Sequence, residues 1–174
     1  MKLWSIQTKE VATLLKTSDY RTDPSKCMAL SVLPNLIAYS WMARQLSVRV
    51  AKPQGCQLPV WAWIGKPDLS NPAYIKSGEA VLIGVEVPGS GVLPSNQSLF
   101  NSVLNNFYIG TDTNFEEKYC RLEGSPPEAR KIIEESWSLV FNLDRIPSNQ
   151  QQACFWEIRR CDVFSIEPLI YATV

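Results

Sequence analysis

Apolar positions along this chain change their spacing several times, and each change marks an element. Leu3 and Trp4 stand among polar neighbours in a stretch, Lys2 to Ile6, that is too short for a helix, so a strand is predicted there. It runs directly into a helix with Thr8 as N-cap, where Val11, Leu14 and Leu15 fall at i, i+3, i+4 and the pattern ends near Thr17-Ser18-Asp19. Tyr39, Met42, Leu46 and Val50 recur every three or four residues, predicting a second helix from about Pro34 to Val50, stopped by Lys52-Pro53-Gln54-Gly55. Leu58 to Ile64 is a dense run of strand formers and reads as a largely buried strand. Lys66 to Gly78 has no period and two prolines, which marks a long surface loop. Ala80 to Val87 is the clearest central strand, ended by Pro88-Gly89-Ser90-Gly91.

The second half repeats these signals. Ser95 is positioned to cap a third helix whose stripe is Leu99, Phe100, Val103, Leu104 and Phe107. Ser125-Pro126-Pro127-Glu128 has capping-box spacing and opens a fourth, with Ile133, Trp137, Val140 and Phe141 on its buried face. Gln152 to Arg159 and Asp162 to Ala172 read as two or three strands. Strands grouped in pairs, not alternating with helices, predict an α+β fold: a mostly antiparallel mixed sheet flanked by about four helices, in a single globular domain spanning 1–174.

Composition narrows the function classes. With 45% apolar and 20% charged residues the chain is globular, not disordered. Seventeen basic residues balance seventeen acidic ones, so no net field favours a nucleic acid or an anionic membrane. The N-terminus shows no seven-residue apolar core for a signal peptide, no apolar stretch reaches eighteen residues, and a cytoplasmic protein is expected. The five cysteines, at 27, 56, 120, 154 and 161, form no C-x-x-C pair and are expected as reduced thiols. The absence of histidine removes Cys/His zinc sites and every histidine-based catalytic arrangement, and no metal is expected.

Several residues could carry chemistry. Trp61 and Trp63 share one face of a strand, as a core filler or as a stacking surface. Glu157 and Glu86 are carboxylates inside apolar strands, which projects each to solvent or into a cleft, and Arg159 or Arg160 could pair with Glu157. Ser5 and Gln7 close the first strand where a polar side chain caps a helix or holds a ligand. Gly89-Ser90-Gly91 lacks the lysine of a phosphate loop.

The segments Leu3-Trp4-Ser5-Ile6-Gln7, Ala38-Tyr39-Ser40-Trp41-Met42, Pro59-Val60-Trp61-Ala62-Trp63 and Gln152-Ala153-Cys154-Phe155-Trp156-Glu157-Ile158, with Val92-Leu93, Leu104-Asn105-Asn106 and Ser136-Trp137, carry a resemblance over nearly the whole chain. In order and spacing the chain resembles the bacterial and phage family called domain of unknown function 3841. The layout also looks like that of ADP-ribosyltransferases, whose late strand carries a catalytic glutamate. That second resemblance implies Glu157 as the catalytic carboxylate, Tyr39 or Trp41 stacking the nicotinamide of NAD, and Ser5 with Gln7 at the ribose, where that superfamily places a histidine or arginine. Two functions therefore stand side by side: an NAD-using transferase acting on a macromolecular target, and a non-catalytic protein-binding module of phage or defence-locus origin. Convergence of Gln7, Trp41 and Glu157 on one pocket would favour the first.

Overall fold

The computed structural model describes residues 1–26, 33–67 and 80–169. The first strand, β1 (Lys2–Thr8), passes straight into α1 (Lys9–Leu14), and the Thr8 hydroxyl accepts a hydrogen bond from the Val11 amide as anticipated. A short strand β2 (Tyr20–Arg21) precedes the long helix α2 (Leu33–Arg49), followed by β3 (Val60–Trp63) and β4 (Ala80–Glu86). Then come β5 (Leu93–Asn96), α3 (Gln97–Leu104), α4 (Thr113–Lys118) and α5 (Pro127–Ser136), and finally β6 (Gln151–Phe155), β7 (Glu157–Ile158) and β8 (Val163–Pro168).

The fold is α+β. Six strands form one sheet in the order β5-β6-β3-β1-β4-β8, and β2 pairs with β7 in a separate ribbon. Every neighbouring pair in both sheets is antiparallel, so the expected mixed character is absent among the described strands.

Strand alternation gives the large sheet two unlike faces. Val60, Ala62, Val81, Ile83, Val85, Ala153 and Phe155 point to one side with Leu3, where Val11 and Leu15 of α1 and Ile158 of the ribbon cover them. Cys154 and Trp61 point to the other, packed against Trp41, Met42 and Leu46 of α2, Phe100 and Val103 of α3, Ile133 of α5, and Trp137 in the 3-10 turn after it. Trp137 is fully buried and donates its indole N–H to the Phe107 carbonyl at 2.7 Å.

The two helix starts in the second half differ from expectation. Asn96, not Ser95, caps α3, accepting from the Leu99 amide at 3.1 Å, while Ser95 is fully buried in β5. A four-residue edge strand containing Pro94 reads as loop, because proline is tolerated in a sheet mainly at its edges. Ser125 does not cap α5; its hydroxyl donates to the Arg121 carbonyl, and Pro126 occupies the cap with no side-chain bond. At Gly84 the side chains of Ser165 and Phe164 from β8 lie over the strand, so that a Cβ would stand 2.6 Å from the Phe164 ring. A bulge there turns Phe164 edge-on to Trp4 at 6.1 Å. The 68–78 part of the anticipated loop, the strand beyond Leu169 and Cys27 lie outside the described residues.

Candidate functional site

Chain direction breaks at Trp156, between β6 and β7, and this break builds a cleft. Phe155 ends β6 inside the aliphatic layer, Trp156 turns aside to donate its indole N–H to the Val50 carbonyl at 3.2 Å, and Glu157 opens the ribbon. Around them Val50, Ala51 and Pro53 from the end of α2, and Val87, Pro88, Ser90 and Gly91 after β4, enclose about 320 Å³, with Arg159 and Asp162 at the mouth. A space of that size sits at the lower end of pockets that hold small molecules, which run from about 300 to 1,000 Å³.

Glu157 is held from across the ribbon. In register with it, Arg21 donates Nε to its carboxylate at 2.8 Å and a second N–H to the Gln54 carbonyl at 3.0 Å. The guanidinium thus ties three segments together, and the hydrogen bond it donates to Glu157, followed by the Glu157 charge, raises the Arg21 pKa. Arg159, one of two arginines expected to pair with Glu157, instead grips Asp162 with two bonds at 2.7 and 2.9 Å, and Arg160 donates from its guanidinium to the Lys16 carbonyl. Cys56 is buried close by, and desolvation pushes its thiol pKa up despite the nearby Arg21 charge. Glu86 is exposed at the end of β4.

The other sequence-derived site residues lie elsewhere. Ser5 is fully buried and donates to the Trp61 carbonyl at 2.6 Å, while Gln7 donates to the Ser5 hydroxyl at 2.8 Å. Gln7 stands opposite Val81, and the cleft residue Val87 lies six positions further along, about 20 Å at about 3.3 Å per residue. Trp41 is buried on the opposite face, stacked on Phe141 at 5.7 Å and edge-on to Trp137 at 5.7 Å. Tyr39 packs edge-on against Trp61 at 5.6 Å. The structure therefore brings Ser5 and Gln7 together and places Glu157, Trp41 and the Ser5–Gln7 pair in three separate surroundings.

A second concavity, an open groove of about 800 Å³, runs between α2 and α5, with Trp41 at its floor. Its walls carry Arg44, Arg130, Lys131, Glu134 and Glu135, partly neutralised by the Arg44–Glu134 and Lys131–Glu135 pairs at 4.0 and 3.8 Å. Sequence reasoning missed Arg21, whose partner lies 136 residues away, because a two-residue strand has no period to reveal it. No group of acidic, cysteine or histidine side chains that could hold a metal ion occurs among the described residues, and no helix among them is long and apolar enough to cross a membrane.

The family model described as Domain of unknown function (DUF3841) matches residues 2–164. The chain belongs to that family. The match begins in β1 and ends in β8, so it takes in the ribbon and both concavities. No curated protein and no solved structure matches the chain, and the likeness to ADP-ribosyltransferases finds no support in these comparisons. As a DUF3841 member the chain shares a fold-length pattern with its family, and its function has to be argued from its own surfaces.

Proposed function

We propose that this DUF3841 domain is a non-catalytic protein-binding module. The observation that carries this reading is the separation of the residues an NAD-using enzyme would need to gather. Glu157 is engaged by Arg21 at 2.8 Å, Gln7 spends its amide on Ser5, and Trp41 packs against Trp137 and Phe141 on the other face of the sheet. A transferase must set its carboxylate beside the reacting carbon with the leaving nicotinamide held in place, since misplacement by even an ångström is costly. The cleft at Glu157 offers instead an apolar floor and a rim of paired charges, a surface suited to a partner's side chain.

Incubating wild type and Glu157→Gln with labelled NAD and cell extract tests the reading. No consumption or transfer is expected from either protein, with both folded by circular dichroism. Turnover by wild type that disappears in Glu157→Gln would overturn the binding-module reading and restore Glu157 as a catalytic carboxylate.

A further inference from the structure

The Trp156 cleft combines an apolar interior with a neighbouring cation, Lys52, that has no ion-pair partner among the described residues. Val50, Pro53, Val87, Pro88, Phe155 and Trp156 supply the walls, and two of them are prolines that fix the backbone on either side. Of the charged groups at the rim, Glu157 is taken by Arg21 and Arg159 by Asp162. Lys52 stands between the wall residues Ala51 and Pro53, with its ammonium 5.1 Å from the centroid of the Trp156 ring, and it makes no ion pair among the described residues.

Resting on the binding-module reading, we propose that this cleft takes a peptide segment in which one bulky apolar side chain is followed by a carboxylate. The volume, about 320 Å³, accommodates a single large side chain and little more. That side chain is drawn in by the walls, which gain by covering apolar surface. Its acidic neighbour then meets the Lys52 ammonium over the Trp156 ring, a cation with no ion-pair partner among the described residues. A lysine or arginine at the same place would meet Lys52 as a like charge. Glu157 contributes as a positioning residue: by holding Arg21 it fixes the turn at Gln54 that carries Lys52 and Pro53 into the rim.

Four acetylated, amidated dipeptides serve as probes, Phe-Glu, Phe-Gln, Phe-Lys and Gly-Glu, titrated into ¹⁵N-labelled full chain while the Trp156 indole and Val87 amide signals are followed. Phe-Glu should shift both signals saturably. Phe-Gln should need about two- to fivefold more peptide, the range expected for one exposed ion pair, and Phe-Lys more still. Gly-Glu should leave both signals in place. In Lys52→Gln, a surface change that leaves the fold intact by amide dispersion, Phe-Glu and Phe-Gln should become equivalent. The proposal is overturned if Phe-Glu produces no saturable shift, if its shifts centre on the α2–α5 groove, if Phe-Lys binds as well as Phe-Glu, or if the preference survives Lys52→Gln. None of those results touches the binding-module reading, which falls to Glu157-dependent NAD turnover.

Discussion

The two faces of the large sheet are packed with different materials. One carries mostly valine, isoleucine and leucine, with Phe155, beneath the short α1 and the β2–β7 ribbon; the other carries Trp61 beneath a layer in which Trp41, Trp137, Phe100, Phe141 and Tyr39 meet edge-on, tilted or stacked. The difference bears directly on function. A run of tryptophans suggests a stacking site in sequence, yet here the rings stack on each other, which is how large aromatics gain most from burial. Glu157 lies off the main sheet, in the β2–β7 ribbon beside Phe155 and Trp156 of the cleft.

The comparison can be broken at its most heavily packed ring. Trp137→Ala removes a fully buried indole from the aromatic face and should cost about 3–5 kcal/mol in urea unfolding. A loss below about 1 kcal/mol would mean that the aromatic layer is not the structural side of the sheet.

A finer probe uses the two indole N–H groups. Trp137 Nε1 bonds the Phe107 carbonyl, whereas Trp61 Nε1 is buried without an acceptor. Trp137→Phe should therefore leave an unpaired buried carbonyl and cost about 1–3 kcal/mol. Trp61→Phe deletes a donor that makes no bond and should change stability by less than about 1 kcal/mol. Equal losses in the two variants would show that shape alone, not hydrogen bonding, governs this face.

The thiols give the smallest effect and the cleanest contrast with solvent. Cys154 is buried in the aromatic face, and desolvation raises its pKa above the ordinary 9.0, while Cys120 and Cys161 are exposed. Iodoacetamide at pH 8 should label Cys120 and Cys161 and spare Cys154, read by peptide mass. Because the folded thiol holds its proton more tightly than the unfolded one, this group's share of stability is intact below about pH 9 and is lost as pH rises beyond it. Rapid labelling of Cys154 in the folded protein would contradict its burial.

Much of the fold was legible because period and composition agree. α2, β3 and β4 each pair a clear apolar spacing with a proline or glycine stop, β1 ends at the Thr8 cap, and the structure places all four within a few residues of expectation. Legibility failed where an element is too short to have a period. β5 hides behind Pro94, β2 is two residues long, and α4 is a single short helix capped by Asp112. Gln152 to Arg159, part of a stretch read as two or three strands, divides at Trp156, whose indole finds its acceptor at Val50 just after α2, a tertiary bond that no local pattern announces. The site suffered most from this. Glu157 was visible as a carboxylate among apolar neighbours, but its partner could be sought only nearby, at Arg159 or Arg160, and the register of the ribbon assigns it to Arg21 instead.

That assignment is the centre of the account, since the proposed binding module rests on Glu157 being committed to Arg21 as a strut beside the cleft. A double-mutant cycle with Arg21→Gln, Glu157→Gln and the double variant, followed by urea unfolding, tests it most directly. With Arg21 46% and Glu157 18% exposed, the account predicts a small favourable coupling, so that the double variant is less destabilised than the sum of the two single changes. Strictly additive losses, or a Glu157→Gln variant more stable than wild type while Arg21→Gln is unchanged, would contradict it.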